Sequence, residues 1–305
     1  MSAAYLNGCA AALGDLRRKV AELPEYVSEP PRPGAGFDTY RLARGGLSDL
    51  LRPALKDALA AAGTPPAAVD TVLFATESLP GGEASQTAVA QLLGDLGMSH
   101  AYPLTLGLAD CSTATAALTV AAALVGSGAA RTVAVVSGDL VRTVLPGGRV
   151  LLGGSAVASD GAAAAVVSAR RHGWEILGGA RQVSYDLFGP GPAAHRLGAQ
   201  LAAYQGLFEN LWSATGLTPP EVAAVLPSNL AADTLRLFLG EVGFAPRQLY
   251  QDNVGRIAHC LGSDPLINLI DRTEAGTTRD AYPVVALLGS SAAHLAAVLL
   301  RAVED

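Results

Sequence analysis

GLADCSTATAAL, residues 107–118, decides how the rest of the chain is read. It ends one short apolar run and opens another segment, STATAALTVAAALVG (112–126), which is apolar nearly all round and stops at Gly126 and Gly128. A helix without a polar face has to be sandwiched inside a protein rather than laid on its surface. Cys111 stands at the first turn of that helix, where unpaired amides and the positive end of the helix dipole stabilise a thiolate. This makes Cys111 a candidate nucleophile. The competing reading makes it a small buried hydrophobe, as most free cysteines are.

Working outward, short apolar runs that read as buried strands alternate with helical segments: VDTVLFAT (69–76), TVAVVSG (132–138), AAAAVVSA (162–169), VAAVLPS (222–228) and PVVALLG (283–289). This alternation predicts an α/β protein with largely buried sheets. The order recurs. A strand at 69–76, a helix near 84–97, a short stretch at 104–109 and the Cys111 helix are matched by a strand at 222–228, a helix at 229–242, a short stretch at Leu249–Tyr250 and a helix near 259–272. The repeat predicts two similar α/β halves, 1–169 with the nucleophile and 170–305. The segments 24–48 and 170–220 read as capping loops and short helices that shape a tunnel.

Composition removes several function classes. With 305 residues, 50% of them hydrophobic and 16% charged, the chain can bury a large core. No run reads as a membrane span, and the opening MSAAYLNGCAAALGDLRRKV lacks the basic start of a secretory signal, so a cytoplasmic protein is expected. A net charge of −6 with two lysines, Lys19 and Lys56, argues against nucleic acid as a partner. Three cysteines without a C-x-x-C pair suggest neither a disulfide framework nor a metal site. No dinucleotide fingerprint or phosphate-cradling loop appears, so no cofactor is expected.

The second half carries NVGRIAHCLGSDPLINL (253–269), in which His259 precedes a helical segment and Asp264 follows five residues later. A thiol that carries an acyl group needs an imidazole to move its proton, and the imidazole needs a carboxylate to fix its tautomer. The spacing permits such a set, although a histidine near an aspartate is also common on solvated loops. Cys260 reads as packing.

Three stretches together resemble the ketoacyl-synthase-III group of thiolase-fold condensing enzymes. ADCSTATAAL resembles that family's nucleophile motif, SDGAAAAVVS (159–168) its strand entry, and LLGSSAAHLAAVLL (287–300) its C-terminal stretch, whose backbone supplies an oxyanion-hole amide. The resemblance implies a thiolase fold of two duplicated halves in five αβαβα layers, a homodimer, and Cys111 as the acyl acceptor. It further implies an oxyanion hole from the amides of Cys111 and of Ser291 or its neighbour Gly289.

The departures bear on the reaction. Leu226-Pro227-Ser228-Asn229 replaces the family's His-Gln-Ala-Asn, placing Leu226 at the histidine's position and Asn229 against the pocket. Ala258-His259-Cys260-Leu261 replaces Gly-Asn-Thr-Ser. The usual Cys-His-Asn set becomes Cys111, His259 and Asp264. Decarboxylation needs two convergent donors on an enolate oxygen, and Leu226 donates nothing. The pattern resembles a natural-product branch that moves an acyl group onto an alcohol, amine or carrier thiol without decarboxylating it. A related branch that primes polyketides keeps His and Asp and still condenses, so a decarboxylative ketoacyl synthase is the alternative. The implied donor is a carrier-protein or coenzyme A thioester. Residues 24–48 have no tryptophan for an adenine, which favours the carrier, with Arg142, Arg149, Arg247 and Arg256 as its contacts.

Overall fold

The computed structural model describes residues 2–188, 192–276 and 283–303. The first run of elements is β1 (Tyr5–Leu13), β2 (Leu16–Lys19), β3 (Thr39–Leu42), α1 (Ser48–Ala61), β4 (Thr71–Ala75), α2 (Glu83–Asp95), β5 (Tyr102–Leu106), α3 (Thr113–Ser127), β6 (Thr132–Asp139), α4 (Val141–Val144), β7 (Val150–Leu151), β8 (Ala156–Val157) and β9 (Gly161–Ser168). The second is β10 (Trp174–Val183), α5 (Ala193–Thr215), β11 (Ala224–Pro227), α6 (Ala232–Glu241), α7 (Asp252–Ile257), α8 (Asp264–Glu274), β12 (Val284–Ser290) and β13 (His294–Ala302).

Among the described residues the main sheet runs β11-β12-β13-β10-β1-β9-β6-β4-β5. Two wings of like order meet where β1 touches β10 through only two residue pairs, Tyr5↔Glu175 and Leu6↔Trp174. Within each wing the parallel strands (β5, β4, β6 and β11, β12) give way to antiparallel ones (β9, β1 and β13, β10). Leu249, in the short stretch that parallels β5, makes a single parallel bridge to Val225.

Period-two alternation assigns the layers. On β9, Ala163, Ala165 and Val167 join Ala117, Leu118 and Ala121 of α3 and Leu266, Ile267 and Leu269 of α8 in one cluster, to which β12 and β13 add Leu287, Val298 and Leu300. Ala162, Ala164 and Val166 face the other way, under α1 and α2. Leu295, Ala297 and Leu299 of β13 pack under α5 and α6. The layers are therefore α1/α2, sheet wing, α3/α8, sheet wing, α5/α6, the expected αβαβα arrangement. The apolar α3 lies in the middle and ends at Gly128, which takes the left-handed conformation (φ 78°). The helical stretch Asp110–Ser127 is long and apolar enough to cross a membrane, but its apolar character is accounted for by this two-sided burial.

The expectation of loops and short helices over 170–220 does not hold for most of its described residues, which form the ten-residue β10 and the 23-residue α5, both integral to the second wing. Glycine disguised the strand: a Cβ on Gly179 would lie 2.3 Å from Thr119 Cγ2, and one on Gly178 2.9 Å from Thr215 Cγ2. Helices press on both faces of β10 so closely that two central positions are bare, and bare positions carry no strand signal.

Candidate active site

The N-termini of α3 and α8 bring the candidate site residues together. A 3-10 turn, Asp110–Ser112, leads into α3 and holds Cys111 half-buried. Another, Leu261–Ser263, leads into α8, whose first residue is Asp264. His259 is fixed by its backbone: its N–H donates to the Val157 carbonyl at 2.9 Å, and its carbonyl accepts from the Ser159 N–H at 2.8 Å. Cys111 Sγ lies 3.2 Å from His259 Nε2, and His259 Nδ1 lies 2.5 Å from Asp264 Oδ2. The two spacings form one continuous Cys-His-Asp chain.

Asp264 is fully buried and accepts from four donors: His259 Nδ1 and the Asn229 N–H at Oδ2, and the Cys260 N–H and Asn229 Nδ2 at Oδ1. Burial works to lower the basicity of His259, but the Cys111 thiolate and the Asp264 carboxylate outweigh it and raise the imidazole from 6.5 to about 10. The imidazole is therefore held in its protonated form. Cys260 lies buried behind the site, its thiol pushed well above the ordinary range by burial. It packs where Gly161 leaves room, since a Cβ there would sit 2.9 Å from its Sγ.

A cavity of about 620 Å³ opens onto Cys111 and His259. Its lining includes the apolar Val144, Leu145, Leu151, Leu152 and Leu261 and the acidic Glu77, Asp110 and Asp139. Glu77 and Asp139 stand at the carboxyl ends of β4 and β6, where sites of open α/β sheets gather; their place at strand ends was the available sequence signal. Burial lifts the Asp139 carboxyl to about 6 against hydrogen bonds from Ser78 and Thr76 that pull it down. Positive φ also marks the site. Among the described residues the non-glycine cases are Leu108, Asp110, Leu152, Ala258 and Leu261, of which four line the cavity and the fifth precedes His259.

Several predicted roles change. Neither Leu226 nor Asn229 lines the cavity. Leu226 is fully buried in the middle core layer. Asn229 sits behind the site, donating to Asp264 and the Ala258 carbonyl and accepting from Asn268 Nδ2. Asn268 in turn accepts from Asn253, which bonds to Arg256 and Asp271, so a chain of buried amides backs the carboxylate. The turn after β11 meets the cavity wall through Ser228, whose Oγ accepts the Ser290 N–H at 3.0 Å. Ser291 lines the cavity, but its amide already donates to the His294 carbonyl at 2.9 Å. Gly289 acts as a spacer: a Cβ would lie 2.7 Å from Thr115 Oγ1, 2.9 Å from Ser112 Cα and 3.0 Å from the Cys111 carbonyl. Gly289→Ala is expected to push the Cys111 turn outward and slow alkylation of Cys111 roughly tenfold or more while the far-ultraviolet circular dichroism is unchanged.

The arginines expected to meet a carrier are mostly committed elsewhere. Arg149 is 11% exposed, pairs with Asp160 and covers the Tyr40 ring. Arg142 caps the carbonyls of Ala43 and Gly45, and Arg256 pairs with Asp271. Among the described residues no group of three or more His, Cys, Asp or Glu side chains is arranged to hold a metal ion.

A family profile described as 3-oxoacyl-[acyl-carrier-protein] synthase III matches residues 108–183. No match is found among curated proteins. The 3-oxoacyl-[acyl-carrier-protein] synthase III of Aquifex aeolicus VF5 superposes with a TM-score of 0.78 at 17% identity, over 98% of this chain and 99% of that one. ChlB3, described as an acyltransferase, gives 0.83 at 18% over 99% and 98%. The priming β-ketosynthase of the R1128 polyketide pathway gives 0.76 at 18% over 97% and 96%. Layering and these superpositions agree: the chain has a ketoacyl-synthase-III-like thiolase fold.

Proposed function

We propose that this protein is an acyltransferase of secondary metabolism. It moves an acyl group from a carrier-protein or coenzyme A thioester, through Cys111, to an external nucleophile without decarboxylation. The observation that carries this reading is the unbroken Cys111–His259–Asp264 chain, with spacings of 3.2 and 2.5 Å, beside a turn at 226–229 that offers no second imidazole.

In this reading residues 1–169 supply the nucleophile and 170–305 the base. Cys111 Sγ attacks the thioester carbonyl, and the departing donor thiol takes the proton from His259 Nε2. The developing oxyanion is assigned to the Cys111 amide at the helix start, and the Ser291–His294 turn must open before the Ser291 amide can join it. Acylation removes the thiolate charge, and with it one of the two influences that raise His259. The imidazole then becomes available to accept the acceptor's proton as the new acyl bond forms and the C–S bond breaks. The edge strand β5 supports the expected homodimer, since it exposes Tyr102 (67%) beside Leu104, with Leu108 (90%) following it.

Intact-protein mass spectrometry after incubation with acyl and malonyl thioesters tests this, with carbon dioxide release followed in parallel. The wild type is expected to gain the whole acyl mass, malonyl included, and Cys111→Ala to gain none. Carbon dioxide release with a ketone product would favour the condensing alternative, and no adduct with any donor would overturn both.

A further inference from the structure

The turn that delivers Cys111 has an uncommon backbone. Leu108 (φ 67°) and Asp110 (φ 45°) both take the left-handed conformation, which residues other than glycine seldom adopt. Each is tied to a partner distant in sequence. The Leu108 N–H donates to Glu77 Oε1 at 3.2 Å, and Asp110 Oδ2 lies 3.1 Å from His294 Nδ1. The second contact reaches from the nucleophile turn to the hairpin between β12 and β13. There His294 is itself fixed. Its N–H donates to Ser291 Oγ at 3.1 Å, its carbonyl accepts the Ser291 N–H, and its ring stands edge-on to Tyr185 with centroids 5.8 Å apart. The His294 side chain is only 14% exposed, so the acceptor meets a held donor rather than a mobile one. With an ionised carboxylate as partner, Nδ1 carries the proton and donates.

Asp110 matters for the peptide unit it begins. The Cys111 N–H lies in the plane of the Asp110–Cys111 peptide, and a rigid plane turns only with the dihedral angles on either side of it. Among the described residues no acceptor takes that N–H, as expected in the first turn of a helix. Resting on the reading above, in which this amide meets the developing oxyanion, we infer that Asp110 is a positioning residue. Its carboxylate, clamped to His294, holds the left-handed turn that aims the Cys111 N–H at the carbonyl oxygen of the acyl donor.

Two reagents separate aim from reactivity. p-Nitrophenyl acetate acylates a thiol through a tetrahedral oxyanion: the S–C bond forms, and the bond to nitrophenolate then breaks. Iodoacetamide alkylates the same thiol by displacing iodide, and no oxyanion forms. The ratio of the two rates at Cys111, followed by mass spectrometry, therefore reports the amide and cancels changes in the thiol itself. Asp110→Gly, which keeps the left-handed backbone accessible and removes the clamp, is expected to lower that ratio roughly tenfold or more, the scale of a misplaced oxyanion donor. His294→Ala is expected to match it, and the double variant to fall no further, because all three lose the same contact. Asp110→Asn tolerates the same φ and offers Oδ1 to His294 Nδ1, and is expected to restore most of the ratio. An unchanged ratio in Asp110→Gly or His294→Ala, equal losses with both reagents, or additive losses in the double variant would overturn the inference. A wild type that reacts with both reagents yet is loaded by no carrier or coenzyme A thioester would instead count against the acyltransferase reading, and the ratio would still judge the clamp.

Discussion

His259→Gln is expected to slow acyl transfer by about two to four orders of magnitude, the usual worth of a positioned acid–base group. It should also reduce the reactivity of Cys111 toward iodoacetamide at pH 7, because the imidazolium that steadies the thiolate is gone. Glutamine fills similar space and can still meet Asp264, so loss of activity with a near-native melting curve separates chemistry from folding. The pH dependence of stability gives an independent check. The imidazole titrates near 6.5 when free and near 10 in the fold, so the folded state holds the extra proton. Its stabilising contribution is complete below pH 6.5 and disappears as pH rises toward 10. Urea midpoints of wild type and His259→Gln should therefore differ most at pH 6 and converge by pH 10. A constant gap across that range would refute the raised imidazole.

Asp264→Asn is expected to lower turnover by roughly four orders of magnitude, as an amide in this position does in a hydrolytic triad, because it can turn an N–H toward the ring and favour the wrong tautomer. Asp264→Ala acts differently. It strands His259 Nδ1, the Asn229 and Cys260 amides and the Asn229 side chain in a site without solvent, and should cost about 3–5 kcal/mol of stability. Urea denaturation and single-turnover transfer, measured on both variants, check the contrast. An Asp264→Asn enzyme with near wild-type turnover would show that the carboxylate only supports the fold.

How much of this was legible depended on side-chain pattern. Cys111 was visible because an all-apolar helix announces a buried element, and the start of such a helix is where unpaired amides steady a thiolate. His259 and Asp264 were visible as a pair, but their approach to Cys111 depends on the long-range bridge between Ala158 and His259. The strand β1, YLNGCAAAL, alternates small residues and offers no apolar rhythm, so it passed unnoticed. The strand β10 was hidden by the same economy, with Gly178 and Gly179 where helices crowd it from both faces. The resemblance to the family's His-Gln-Ala-Asn stretch places Asn229 against the pocket; here the backing of Asp264 claims it. The orientation of a side chain at a turn is set by partners distant in sequence, and periodicity carries no information about them.

Ala258 holds φ 57° and ψ −149°, a region nearly closed to any residue with a Cβ, one position before the histidine that faces Cys111. Ala258→Gly would release about 1–3 kcal/mol of that strain if the chain kept its path. A screen for heat resistance would therefore favour the relaxed loop. The same loop aims the imidazole, so a sturdier protein from such a screen would be at risk of being a slower one. Selection for durability and selection for turnover pull on this single methyl group in opposite directions.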